Sequence, residues 1–217
     1  IITPIFQTST FVQEAVGAHK GYDYARSDNP TRTALQTALA SLEGGNWGLS
    51  YASGLAAAQN LFYLVRPGDH ILLSNDAYGG TYRLVAKVIA HYGIDFDLVE
   101  MSDLDAVRAG MRPNTKLVWV ETPTNPYLKI VDIAAVAGIA HDGGARLVVD
   151  NTFASPYLQQ PLALGADFVL HSATKYLGGH SDVIGGAVIG IDEETYATLK
   201  FLQNAAGAVP APFDCWL

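Results

Sequence analysis

Short apolar runs and segments of helical period take turns along most of this chain. WGLSYA, HILLS, IDFDLVE, KLVWVET, ARLVVDNT, DFVLHSAT and VIGGAVIGI read as strands. SGLAAAQNLFYLV, GGTYRLVAKVIAHYG, SDLDAVRAGM and DIAAVAGIAHDGG read as helices between them, with Val85, Val88, Ile89 and Tyr92 on one apolar face of the second. Strands apolar on both sides need cover on both faces, and helical crossovers join parallel neighbours in a right-handed sense. The expected fold is therefore α/β: a mainly parallel sheet with helices on both faces.

One further helix precedes this pattern, in DNPTRTALQTALASLEGG. Asn29 is placed to cap it, Pro30 suits the first helical position, and Gly44 stops it. Leu35, Leu39 and Leu42 recur at core spacing. The residues ahead of it lack periodicity and read as an extended arm, so the chain divides into an arm over 1–28 and a domain over 29–217. The chain opens on Ile1 and closes on FDCWL, which is read as two cuts in a longer protein.

Composition narrows the function. Charged residues are 16% of 217, against roughly 25% in average soluble proteins, and 49% are hydrophobic, which suggests surface buried between subunits as well as within one. The net charge of −8 and the lack of any Lys/Arg cluster disfavour nucleic acid. No apolar run is long enough for a membrane span, and no signal peptide opens the chain. One cysteine, Cys215, allows no internal disulfide and points to a reducing, cytoplasmic compartment.

In open parallel sheets, ligands bind at the carboxyl ends of the strands. The residues expected there are Ser53 with Gly54, Tyr78, Glu121 with Asn125, Asp150 with Thr152, and Ser172 with Thr174 and Lys175. No G-x-G-x-x-G, Gly-Lys or G-x-S-x-G occurs, so the dinucleotide, Walker A and serine-hydrolase signals are missing. The histidines form no H-E-x-x-H and the cysteine is alone, which argues against a metal site; His171 and His180 are expected to make plain hydrogen bonds.

Lysine chemistry remains. A lysine amine forms a Schiff base with a carbonyl cofactor once a desolvated pocket lets it lose its proton. Pyridoxal phosphate (PLP) needs that lysine, a carboxylate on the pyridinium nitrogen, a phosphate cradle and a group stacked on the ring. Lys175 follows a strand among hydroxyls and glycines. Asp150 ends LVVD and suits the nitrogen, or else caps a turn. Ser53-Gly54 opens a helix whose N–H groups suit a phosphate, or Ser53 is simply the N-cap. Ser172 and Thr174, alternating on one side of a strand, add hydroxyls; Tyr78 stacks on the ring or packs.

YARSDNPTR, YASGLAA, AYGGTYR, VWVETPTNP, VVDNTFASP and HSATKYLGGHSDVIGG occur in this order. Together they resemble the cysteine/methionine-metabolism (trans-sulfuration) family of fold-type I PLP-dependent enzymes, whose members include cystathionine γ-synthase and γ-lyase. The resemblance covers practically the whole chain and implies the large, PLP-binding domain of that fold. It implies that Lys175 carries the cofactor and moves protons, that Asp150 partners the pyridine nitrogen, and that Tyr78 stacks on the ring and shares in catalysis. Ser53, Gly54, Leu55, Ser172 and Thr174 match the phosphate cradle, and Thr152 stands beside Asp150. Asn125 matches an asparagine near the cofactor and substrate carboxylate. Tyr24 and Arg26 match residues reaching the phosphate of a neighbouring subunit, in a homo-oligomer expected to be a dimer of dimers. Within one chain, Arg26 would instead pair with Asp23 or Asp28.

Two departures follow. Family chains continue into a smaller C-terminal domain with an arginine for the substrate carboxylate, which this sequence does not contain. Methionine γ-lyases typically carry a cysteine soon after the stacking tyrosine, where this chain has Gly79-Gly80. The expected reaction is γ-replacement on an O-acylhomoserine by cysteine, giving cystathionine. γ-Elimination of cystathionine is the alternative, and a catalytically silent fragment or interaction domain is the reading from another class.

Overall fold

A computed structural model describes residues 2–217. Its core is a seven-stranded sheet: β3 (Trp47–Tyr51), β4 (His70–Ser74), β5 (Asp95–Val99), β6 (Thr115–Glu121), β7 (Arg146–Asp150), β8 (Phe168–His171) and β9 (Gly186–Gly190). The order across the sheet is β3-β9-β8-β7-β6-β4-β5. β9 runs antiparallel to both β3 and β8, and the remaining pairs are parallel. Six strands thus share one direction and β9 alone opposes them, as a mainly parallel sheet requires.

Alternation along each strand sends side chains to two separate cores. Leu49, Ile71, Leu73, Trp119, Val148 and Leu170 pack against α2 (Gly54–Phe62), α3 (Gly79–Lys87) and α7 (Glu193–Ala206). There the Phe62 and Trp119 rings stack with centroids 4.9 Å apart. Leu72, Val118, Val120, Leu147 and Val149 face α4 (Leu104–Gly110) and α5 (Ile133–Asp142). On that side α1 (Pro30–Glu43) covers β8 and β9 through Leu39 and Ala40. Each such side chain contributes about 1.5–3 kcal/mol by leaving water, so the two cores lock the strand ends in place. Two short helices, α6 (Ser155–Leu158) and α8 (Pro212–Trp216), complete the elements after β7 and α7.

Two apolar faces differ from expectation. In α1, Leu42 is 51% exposed, whereas the buried stripe runs Arg32, Gln36, Leu39, Ala40, Glu43. Polar residues displace the leucine phase because each has a tertiary hydrogen-bond partner. Gln36 accepts from the Ser50 N–H at 3.0 Å, and Arg32 donates to the Ala25 and Arg26 carbonyls. Glu43 accepts from Asn151 at 2.8 Å and pairs with His171. The other case is 79–93. α3 stops at Lys87, Val88 leaves helical geometry, and Ile89–Tyr92 continues as a tighter 3₁₀ turn. Val85 and Ile89 stay buried, but the new phase leaves Val88 40% and Tyr92 67% exposed.

The caps of α1 are as expected. The Asn29 side chain accepts from the Thr31 and Arg32 N–H groups, and Gly44 takes the left-handed conformation at the C-terminus. Residues 2–28 are largely exposed and carry a short hairpin, β1 (Gln13–Ala15) with β2 (Ala18–His19), which the sequence did not suggest. The arm is tied to α1 where Asn29 donates to the Phe6 carbonyl and the Thr31 hydroxyl to the Pro4 carbonyl.

Candidate active site

A cavity of about 270 Å³ opens at the carboxyl edge of the sheet. Ser53, Gly54, Leu55, Tyr78, Glu121, Asn125, Asp150, Thr152, Ser172, Thr174 and Lys175 all line it, so eleven of the thirteen expected residues meet in one place. Tyr24 and Arg26 are the two that do not. Both are exposed, and the Arg26 guanidinium lies 5.5 Å from the Tyr24 ring centroid. The alternative single-chain pairing of Arg26 with Asp23 or Asp28 is not made among the described residues; Asp28 pairs with Lys200 and more distantly with Arg32.

One end of the cavity is rich in hydrogen-bond donors. Ser53 caps α2, accepting the Ala56 N–H on its hydroxyl and the Ala57 N–H on its carbonyl. The Gly54 and Leu55 N–H groups precede the first intrahelical bonds and so stand available beside the positive end of α2. Gly54 abuts Ser172: a Cβ on it would stand 2.9 Å from the Ser172 Cβ. β8 stops at His171, so Ser172 and Thr174 belong to the turn after the strand and do not alternate along it. Thr174 is partly committed, exchanging hydrogen bonds with the Gly185 backbone.

The floor is acidic. Glu121 and Asp150 are register partners at the ends of β6 and β7, and both line the cavity. Burial, then the charge of Asp150, push the Glu121 carboxyl up to about 8, against N–H groups of Tyr78 and Asn125 that favour its ionised form. Burial likewise raises Asp150, while hydrogen bonds from the Thr152 hydroxyl and N–H oppose that rise. Thr152 in turn accepts from the Ser172 N–H at 2.9 Å, joining the floor to the Lys175 turn. Lys175 is the one cation on the lining and is exposed, with no ion-pair partner among the described residues. The expected desolvation of its amine is not provided by this chain alone.

The lining also includes Thr81, Phe153, Leu170 and Ile184, which sequence reasoning did not select. Phe153 lies three residues beyond Asp150 in NTF and could have been suspected; Ile184, two residues before β9, carries no signal in the sequence. His171 and His180 make hydrogen bonds, to Glu43 and to the Gly178 carbonyl. The His171–Glu43 pair lies with Asn151 beneath the strand ends, on the side away from Asp150.

The topology and the cavity define an α/β ligand-binding domain with its site at the carboxyl edge of the sheet. The chain belongs to the Cys/Met metabolism PLP-dependent enzymes, whose family model matches residues 1–217. It is 58% identical, over its whole length, to a probable cystathionine gamma-synthase of Herpetosiphon aurantiacus, spanning 68% of that protein. It is 52% identical to a cystathionine beta-lyase of Lactococcus lactis subsp. cremoris, again along its full length and 57% of the relative. The crystal structure of cystathionine gamma-lyase from Lactobacillus plantarum complexed with L-serine superposes with a TM-score of 0.96 at 49% identity. That match covers 98% of this chain and 56% of that one.

The family's cofactor is pyridoxal phosphate. The donor set fits it: uncommitted N–H groups and a hydroxyl at one end for a dianionic phosphate, a buried carboxylate on the floor, an aromatic ring on the wall and an unpaired lysine.

Proposed function

We propose that this chain is the cofactor-binding domain of an enzyme that joins an O-acylhomoserine to cysteine, giving cystathionine by replacement at Cγ. One observation supports this above the others: Lys175, Asp150 and the free N–H groups of α2 converge on one cavity. Bound pyridoxal phosphate supplies an electron sink for the bond-breaking at the substrate Cα. The residues of this chain divide the remaining tasks. Gly54, Leu55 and Ser172 hold the phosphate, with Ser53 shaping the turn and Thr174 holding the Gly185 backbone against it. Asp150, steadied by Thr152, keeps the pyridine nitrogen protonated. Tyr78 covers the ring. Lys175 anchors the cofactor and moves protons at Cα and Cγ of the substrate. Asn125 contacts the substrate carboxylate.

The assignment as a synthase rests on the higher identity to the probable gamma-synthase. γ-Elimination of cystathionine is the second reading, favoured by the near superposition on the gamma-lyase. A single cysteine in this sequence supports a reducing, cytoplasmic setting for the enzyme. Tyr24 and Arg26, outside their own chain's cavity, are read as completing the phosphate site of a neighbour in a dimer of dimers.

The test has two stages. The protein should absorb in the visible and lose that band on borohydride reduction, with the adduct on Lys175 and none in Lys175→Ala. A colourless protein would instead support a catalytically silent domain, and an adduct on another lysine would reject the site. Assay of the intact protein should then show turnover with O-acylhomoserine only when cysteine is present. Release of 2-oxobutyrate from cystathionine alone would select the lyase.

A further inference from the structure

Tyr78 is the N-cap residue just before α3, yet it offers no side-chain acceptor to the helix. Its own N–H is satisfied from elsewhere. Glu121, at the end of β6 and 43 residues further along the chain, accepts it on Oε2 at 2.6 Å. Glu121 is 5% exposed, so this bond is shielded from water. Its carboxyl group also stands at the positive end of α3. This side chain therefore ties the loop bearing Tyr78 to the sheet edge beside Asp150.

The Tyr78 ring is constrained from its other side by Gly80. A Cβ on Gly80 would stand 2.3 Å from the ring's Cε1, so the ring lies directly over this glycine. Gly80 is at a negative φ, so the need for glycine here is space and not backbone conformation.

We propose that Glu121 is the positioning residue of the active site: by accepting the Tyr78 N–H it sets the pose of the Tyr78 ring over the cavity, with Gly80 providing the room. Glu121 acts through an acceptor oxygen and not through its charge. The consequence for a cofactor ring under Tyr78 rests on the function proposed above; the anchoring itself does not.

The experiment compares Glu121→Gln, Glu121→Ala and Gly80→Ala in the PLP-loaded protein and in the cofactor-free protein. Glutamine keeps an acceptor oxygen for the Tyr78 N–H, whereas alanine removes it. In the cofactor-free protein, amide exchange at Tyr78 should be about tenfold faster in Glu121→Ala and near wild type in Glu121→Gln, as expected for the loss of one buried hydrogen bond. In the loaded protein, Glu121→Ala should release PLP about tenfold faster and lose much of the visible circular dichroism, which reports the cofactor's orientation. Glu121→Gln should rescue both. Gly80→Ala should reproduce the dichroism change with Glu121 intact, so the proposal remains testable if Glu121→Ala does not fold. Unchanged Tyr78 exchange in folded Glu121→Ala would overturn it, as would a glutamine variant as impaired as the alanine one. Wild-type protein that binds no PLP would reject the proposed function alone and leave the exchange result standing.

Discussion

Glu121 and Asp150 show how much one cavity can change a residue. Both sit at strand ends, where a carboxylate is normally solvated, yet both are buried side by side. The sign of the resulting pH dependence is set by proton counting. Glu121 rises from its ordinary value of 4.5 to about 8 on folding, so between those values the folded protein binds more protons than the unfolded one. Stability without cofactor must then fall as pH climbs through that window and level off above it. Asp150, also raised, adds a slope of the same sign from its ordinary value upward. Thermal unfolding of the cofactor-free protein should give a midpoint several degrees higher at pH 5 than at pH 8. Glu121→Gln should flatten most of that difference. A midpoint that climbs with pH across this range would show that these carboxyls are ionised at no cost.

At the scale of elements, α1 links the arm to the domain. Asn29 is 1% exposed and makes three connections: its oxygen caps the Thr31 and Arg32 N–H groups, and its amide holds the Phe6 carbonyl at 2.9 Å. Asn29→Ala should destabilise the domain by about 1–2 kcal/mol in denaturant titrations. It should also release the arm, making bonds before residue 29 more sensitive to limited proteolysis. Asn29→Asp keeps the cap but loses the amide donor, so it should preserve most of the stability while still freeing the arm. Equal proteolysis of all three proteins would show that the arm is held by other contacts, such as the Thr31–Pro4 bond.

The whole molecule poses the question of the arm's partner. Tyr24 and Arg26 lie outside the cavity of their own chain, and an exposed guanidinium over a tyrosine ring is available to a phosphate elsewhere. In the intact protein, Arg26→Ala and Lys175→Ala should each be inactive. If sites are shared across a two-fold interface, half of randomly reassociated dimers are mixed and each holds one intact site. Mixing should therefore restore about a quarter of wild-type activity. Mixed dimers without recovery would place Arg26 outside any shared site.

The alternation of apolar strands with helical segments determined the α/β class, because period 2 and period 3.6 are local properties of the chain. Local chemistry likewise determined the Asn29 and Ser53 caps, and strand-end position pointed to Lys175, Asp150 and Ser172. Phase and partnership were decided only in three dimensions. Leu42 faces water because Arg32, Gln36 and Glu43 find partners in the Ala25–Arg26 turn, Ser50, Asn151 and His171, contacts that helical spacing cannot reveal. The antiparallel insertion of β9 between β3 and β8 is equally a tertiary outcome, since apolar runs carry no direction. So is the clamp from Glu121 to Tyr78: a hydrogen bond spanning 43 residues exists only once β4 and β6 lie side by side.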